Sequence, residues 1–146
     1  MSAASSAIGT LLRITAGPYE FRAMLEEERA PLTCRTFREM LPFASQLIHA
    51  RWSGEAAWVP LGERDFGVSH ENATSHPAPG HVLLYPGGLS ETEILVPYGG
   101  AHFVSIVGPL AGNHFLTIID GLDDLRKLGE HVLWKGAVDI LFEEAS

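Results

Sequence analysis

The sequence predicts a mostly β protein, a small antiparallel barrel of about eight strands with two capping α-helices. Short segments in which apolar and polar residues alternate recur along the 146 residues, a pattern typical of strands with one face on a core. Turns rich in Gly and Pro separate these segments, and in two places apolar residues recur at helical spacing instead. Closing such a sheet into a barrel, with helices over its ends, hides its edges.

The first predicted elements are a hairpin and a helix. Two strands flank an Ala-Gly-Pro turn, Leu11 to Thr15 and Tyr19 to Leu25. The helix begins at Pro31, because a missing N–H costs nothing in a first turn, and ends before Pro42. Cys34 and Phe37 share its apolar face. We interpret Cys34 as a small buried hydrophobic residue rather than a reactive thiol.

Residues 47–61 are predicted to form a second hairpin that concentrates polar chemistry. Alternation with period 2 places His49 and Arg51 on one strand face, and Glu55 follows after the turn. The aromatic residues of the hairpin, Trp52 and Trp58, are interpreted as core side chains. The hairpin therefore offers a rigid support for a polar site.

Residues 60–80 show no sustained period and are predicted to form a long loop. Loops of this length inside a compact domain are usually functional or disordered, so Glu71 is a candidate site residue, with Asn72 and Thr74 beside it. The remaining predicted strands are His81 to Tyr85, Ile94 to Val96, Ala101 to Val107, Phe115 to Ile119 and Val138 to Phe142. A second helix, which starts at Leu122 and continues past Gly129 to Trp134, precedes the last of them.

Length and composition predict a single domain spanning residues 1–146, in which the small, polar residues 1–8 are flexible. The hydrophobic fraction of 46% is sufficient for one full core. The net charge of −8 opposes binding to phosphate backbones and anionic lipids, so we expect neither nucleic acid nor membrane as a partner. A single cysteine fits a reducing compartment, and no segment has the pattern of a secretory signal or membrane span. We therefore expect a cytoplasmic protein.

Several pieces of the chain, in their order, resemble the cyclophilins. Residues 30–38 resemble the cyclophilin first helix, which reads Pro-x-Thr-x-x-x-Phe-Arg, and residues 100–103 resemble its Gly-Ser-Gln-Phe strand. Residues 110–115 resemble its Leu-Asp-Gly-Lys-His-Val segment. The Arg-Trp-x-Gly-Glu stretch at 51–55 and the glycine- and proline-rich run at 77–88 are closer still to uncharacterised bacterial proteins with a cyclophilin-like fold. The resemblance implies a cyclophilin-like barrel.

The resemblance also implies a candidate activity, peptidyl-prolyl cis-trans isomerisation, in which Arg51 would match the catalytic arginine. The matched pocket is altered, however. Glu55 stands where cyclophilins have a pocket phenylalanine and His102 where they have a glutamine, whereas His114 matches outright. A buried carboxylate or imidazole is costly without a partner, so this polar pocket makes isomerase the alternative rather than the first prediction.

The first prediction is an uncharacterised cyclophilin-like protein that binds a small polar or carboxylated molecule on the barrel face. The candidate ligand-binding residues are Arg51, Glu55, Glu71, His102 and His114. Arginine can bind a carboxylate through two hydrogen bonds, and Glu and His can exchange protons, so the candidate catalytic residues are Arg51, Glu55 and His114. The sequence leaves open whether the protein is an enzyme.

Structural alternatives remain beside this prediction. Arg51 and Glu55 can form an ion pair across the hairpin, and the histidines can be hydrogen-bonded within the fold. A non-catalytic subunit of a larger enzyme, or a homo-oligomer, is a second alternative function.

We expect no cofactor and no metal. Residues 80–88 resemble the Gly-Asp-x-x-x-x-Pro-x-Gly turn of cupins, but the sequence has no His-x-His motif and no histidine soon after this turn. Glu91 and Glu93 would share a strand face and are interpreted as solubilising charges at a sheet edge. The sequence also has no Gly-x-Ser-x-Gly elbow and no phosphate-binding glycine loop.

Overall fold

Antiparallel strands pair around a closed ring in the computed structural model, which describes residues 9–145. The prediction that residues 1–8 are flexible lies outside the described residues. In chain order the elements are β1 (Leu11–Ala16), β2 (Tyr19–Leu25), α1 (Pro31–Glu39), β3 (Phe43–His49), β4 (Gly54–Gly62), β5 (Ala73–Thr74), β6 (His81–Tyr85), β7 (Thr92–Ala101), β8 (Val104–Ser105), β9 (Gly108–Pro109), β10 (Gly112–Asp120), α2 (Leu122–Lys135) and β11 (Val138–Glu144).

Eight of these strands form the barrel, in the order β2-β1-β11-β3-β4-β7-β6-β10, and pairing between β2 and β10 closes it. The short β5 pairs with the start of β10. The predicted fold, a mostly β antiparallel barrel of about eight strands with two helices, is therefore confirmed. The more specific resemblance to cyclophilins stays a prediction. Neither helix within residues 9–145 is long and apolar enough to cross a membrane.

The main core is built from alternate strand residues and one face of each helix. Phe37 of α1 packs edge-on against Phe115 and Phe142, with ring centroids 5.0 and 5.3 Å apart. Cys34, on the same helix face, is 1% exposed. Its burial, together with the nearby Glu27 carboxylate, raises the pKa of the thiol to about 12, which leaves it protonated and unreactive at neutral pH. The interpretation of Cys34 as a buried hydrophobic residue is confirmed.

A second, smaller apolar cluster lies on the outer face of β4, β6 and β7, because its residues alternate along these strands with residues of the main core. Phe103 and Leu110, at the two ends of the β8–β9 hairpin, cover this face, and the Leu110 N–H donates to the Phe103 carbonyl at 2.9 Å. The predicted strand from Ala101 to Val107 is therefore wrong. The apolar residues of this segment fold over the outer face of the barrel instead of extending the barrel sheet. The β7 residues 92–98 are buried throughout.

The long loop between β4 and β6 is fastened to α1 and β10 by side chains. Asn113 is fully buried and donates to the Thr33 hydroxyl and the Ser69 carbonyl, both at 3.0 Å. Its amide oxygen accepts from the Glu71 N–H at 3.1 Å. The Glu71 carboxylate accepts from the Thr33 N–H at 2.6 Å. It thereby satisfies one free N–H at the start of α1, where Ala30 supplies no side-chain cap.

Gly129 allows β7 to approach α2 closely, because a Cβ at this position would overlap the ring of Tyr98. Replacing a helical glycine by alanine usually stabilises a protein by about 1 kcal/mol. We expect Gly129→Ala to destabilise this one by about 1–3 kcal/mol in urea unfolding, since the methyl group has no room. Lys127→Ala on the exposed face of α2 should change stability by less than about 0.5 kcal/mol. A stabilising Gly129→Ala would contradict the close contact.

Candidate functional site

A cleft on the outer face of the barrel lies between the β3–β4 connection, β7 and the β8–β9 hairpin. Its volume is about 250 Å³, near the lower end of small-molecule pockets, which span roughly 300–1,000 Å³. The side chains that give it chemical character are Arg51, Trp52, Trp58, Glu91, Glu93 and Ile106. Three larger surface grooves among the described residues, of about 270, 460 and 660 Å³, have no buried ionisable side chain in their walls. The smaller cleft is therefore the candidate site.

Glu93 is the buried ionisable residue of this cleft and is 8% exposed. Its burial, reinforced by the nearby Glu91 carboxylate, raises the pKa of Glu93 from an ordinary 4.5 to about 7. Glu93 forms no ion pair with any cation of residues 9–145. Near neutral pH it is therefore divided between its protonated and ionised forms, which suits a group that binds a cation or exchanges a proton.

The sequence interpretation of Glu93 as a solubilising charge at a sheet edge is wrong. Its strand, β7, pairs with β4 on one side and β6 on the other, and Glu93 lies opposite Pro60 and Tyr85. Glu93 is not among the site residues predicted from the sequence. The available signal was a carboxylate directly before the apolar run Ile94-Leu95-Val96. A charged residue that continues an apolar strand is a candidate for burial, and burial of a carboxyl calls for a functional explanation.

Arg51 and Trp52 lie in the connection between β3 and β4 rather than on a strand. Because β3 ends at His49, the prediction that His49 and Arg51 share a strand face is wrong. Trp52 is 54% exposed, so its interpretation as a core residue is also wrong. Trp58 on β4 is half-buried and packs against the second apolar cluster. The cleft thus has a guanidinium and two indole rings in its walls.

His49 holds the start of this connection. Its Nδ1 lies 2.7 Å from the Ala50 carbonyl and its Nε2 lies 2.7 Å from the Tyr98 hydroxyl. A carbonyl can only accept, so the Nδ1–H donates to it, while Nε2 is hydrogen-bonded to the Tyr98 hydroxyl. The connection that carries Arg51 and Trp52 therefore begins at a side chain with both ring nitrogens bonded.

Glu55 is directed toward α2 and not toward Arg51. Its carboxylate accepts from both terminal nitrogens of Arg126, at 3.0 and 3.1 Å, and from the Gly100 N–H at 2.9 Å. The hydrogen bonds from Arg126 are the main reason that the pKa of Glu55 lies below its usual value. The ion pair considered from the sequence therefore exists for Glu55, but its partner is Arg126.

His102 lies beside the cleft. Its N–H donates to the carbonyl of Ser53, a residue of the cleft wall, at 3.1 Å. Its ring stacks on His76 with a centroid separation of 4.4 Å. His102 is thus a neighbour of the Arg51 connection through the backbone.

His114 belongs to a separate group on β6 and β10. Its ring stacks on His81 at 4.4 Å, and its Nε2 lies 2.8 Å from the Thr117 hydroxyl. That hydroxyl donates to Glu26 at 2.5 Å, so the Nε2–H of His114 donates to the Thr117 oxygen. Burial, together with the neighbouring His81, lowers the pKa of His114.

The five predicted site residues therefore differ in their surroundings. Arg51 lines the cleft and His102 adjoins it. The other three have partners elsewhere: Glu55 pairs with Arg126, Glu71 accepts from the Thr33 N–H, and His114 is hydrogen-bonded to Thr117. Their participation in ligand binding stays a prediction. Within residues 9–145, no three side chains of His, Cys, Asp or Glu are grouped closely enough to hold a metal ion.

Comparison with known proteins gives a family and, among solved structures, similar folds. The profile of a family described as "Protein of unknown function (DUF3830)" matches residues 12–143. A search of curated proteins finds no match. The structure of McbB in complex with tryptophan is similar with a TM-score of 0.71 and 17% identity, covering 92% of this chain and 45% of that chain. The solution structure of a hypothetical protein from Archaeoglobus fulgidus is similar with a TM-score of 0.57 and 20% identity, covering 94% of this chain and 95% of that chain.

These identities show a shared fold alone. The chain spans less than half the length of the McbB chain that it matches.

Proposed function

The chain belongs to the DUF3830 family of proteins of unknown function, and we propose that it binds a small carboxylated molecule with an apolar ring in the outer-face cleft. The observation that carries this proposal is the presence of Arg51, Trp52 and Trp58 in the walls of one cleft of about 250 Å³. These side chains match the two halves of such a ligand.

Arg51 is suited to the carboxylate. It is exposed and forms no ion pair with a carboxylate of residues 9–145, so its donors are available to a ligand. The planar guanidinium matches a carboxylate through two parallel hydrogen bonds, and such charge-assisted bonds are stronger than neutral ones.

The indole rings are suited to the apolar part. Trp52 and Trp58, with Ile106 from the hairpin tip, are apolar residues that line the cleft. Aromatic rings bury large areas on contact and favour stacked or edge-on partners. Because McbB, a barrel of similar fold, has been solved in complex with tryptophan, tryptophan and related acids belong in the set of ligands to be tested.

We expect ring-bearing carboxylic acids to raise the melting temperature, whereas their amides and ring-free acids should leave it unchanged, because a ligand that binds the folded state stabilises it. For the best acid, Arg51→Gln should weaken binding at least about tenfold in isothermal titration calorimetry. Arg35→Gln, which removes an exposed arginine of α1 outside the cleft, should bind like the parent. Equal affinity of Arg51→Gln and parent would reject the proposal.

Peptidyl-prolyl isomerisation is the second candidate, because Arg51 adjoins apolar rings in the same cleft. The reaction needs a hydrogen-bond donor at the prolyl amide and an apolar wall for the ring. The buried Glu93 carboxyl in this cleft favours ligand binding instead. Catalysis of proline-peptide isomerisation that Arg51→Gln abolishes would establish the second candidate.

A further inference from the structure

We propose that Glu93 recognises an ammonium group, so that the ligands of the cleft are small ring-bearing zwitterions that place a carboxylate at Arg51 and an ammonium at Glu93. This inference rests on the proposed function, because it concerns the same cleft. It adds the second charge of the ligand and the residue that binds it.

The composition of the cleft favours a cation at its buried side. Glu91 and Glu93 contribute two carboxyl groups to its walls, and Trp52 and Trp58 contribute two indoles, a side chain with an electron-rich ring. Both kinds of group attract an ammonium ion. A buried carboxylate without a partner is costly, and a ligand ammonium supplies both the missing charge and N–H donors.

The groups around Glu93 leave this role open. Tyr85 lies opposite Glu93 on β6, and its hydroxyl accepts from the Leu89 N–H at 3.0 Å. Pro60, opposite on β4, has no charge. Arg51 lines the same cleft without an ion pair to Glu93, and Glu91 repels a second negative charge. A ligand with two separated, opposite charges is therefore complementary to Arg51 and Glu93 at once.

Binding of an ammonium must be coupled to ionisation of Glu93. Without ligand, the pKa of Glu93 is about 7, so about half of the Glu93 carboxyls carry a proton near pH 7. Binding of an ammonium therefore releases about half a proton per ligand at this pH. Affinity should therefore fall about tenfold between pH 8 and pH 6, where most of the carboxyl is protonated. An ordinary ligand carboxylate does not titrate in this range.

Calorimetry with three matched probes tests the inference on the whole chain: tryptophan, indole-3-propionate without the ammonium, and tryptamine without the carboxylate. We expect tryptophan to bind at least about tenfold tighter than either at pH 8. Titrations of tryptophan in phosphate and in Tris, whose ionisation enthalpies differ, should show the proton release. Glu93→Gln should reduce tryptophan to the affinity of indole-3-propionate and abolish the pH dependence. Glu28→Gln removes an exposed carboxylate outside the cleft. This variant should keep the parent's affinity for tryptophan and its pH dependence.

The outcomes separate the two proposals. Indole-3-propionate that binds as tightly as tryptophan, without pH dependence, would overturn the ammonium site and leave the carboxylate cleft standing. If tryptamine bound as tightly as tryptophan and Arg51→Gln did not weaken its binding, the proposal that the ligand is a zwitterion would be overturned. Failure of both carboxylated probes to bind would overturn the proposed function together with this inference.

Discussion

Glu93→Gln is expected to raise the free energy of unfolding by about 3 kcal/mol at pH 8. The folded protein holds the proton of Glu93 up to a pKa of about 7, whereas an unfolded chain releases it near 4.5. The free energy of unfolding of the parent therefore falls as the pH rises from about 4.5 to 7. Above that range the folded parent carries the full destabilisation from the buried, ionised carboxylate. Glutamine carries no charge at any of these values. Urea unfolding at pH 4, 6 and 8 should show a gain that is near zero at pH 4 and largest at pH 8.

The matched control for this series is Glu28→Gln. Glu28 is exposed, and its loss should change stability by less than about 0.5 kcal/mol at each pH. If Glu93→Gln were no more stable than the parent at pH 8, the carboxyl would be solvated or paired in the folded state. A confirmed gain also shows that Glu93→Gln is folded when its ligand binding is measured. Residues that destabilise a fold often serve its function.

Asn113→Leu is expected to destabilise the protein by at least about 3 kcal/mol, although leucine keeps the same branching of side-chain heavy atoms. The substitution leaves the Thr33 hydroxyl, the Ser69 carbonyl and the Glu71 N–H without their partner. Each such group costs about 1–3 kcal/mol when it stays buried. Urea unfolding measures the loss, and limited proteolysis should cut residues 63–80 faster than in the parent, because the loop is released from α1.

Asn72→Gly is the matched control in the same loop. Asn72 has a φ of 54°, which glycine adopts without strain, and its side chain donates one hydrogen bond to the His114 carbonyl at 2.8 Å. The expected loss is about 1 kcal/mol or less. Equal losses for Asn72→Gly and Asn113→Leu would show that Asn113 does not fasten the loop.

The barrel and both helices could be predicted because local patterns determine them. Pro31 at the first turn and the spacing of Cys34 and Phe37 specify α1, and period-2 alternation specifies β2. The strand β7 was predicted too short, because both of its faces are covered and no alternation remains to mark its ends. The burial of Glu93 cannot be predicted for the same reason, because no alternation along β7 distinguishes a covered face from an exposed one.

The site could be predicted only in part, because its partners come from distant segments. Arg51 lines the cleft from the connection between β3 and β4 and not from the predicted strand, and the exposure of Trp52 follows from the path of a turn that no periodicity describes. The partner of Glu55 is Arg126, 71 residues further along the chain. No local pattern reports such a contact. The single-domain and homo-oligomer predictions stay predictions.

Under the proposed function, the β8–β9 hairpin separates ligand selectivity from stability. Phe103 at its base is fully buried against the barrel, whereas Ile106 at its tip is 78% exposed and lines the cleft. A substitution at the tip alters the surface that a ligand meets without disturbing the packing at the base. Under the same proposal, a few substitutions at the tip change the ligand preference of the cleft, while the strands that carry the fold remain unchanged.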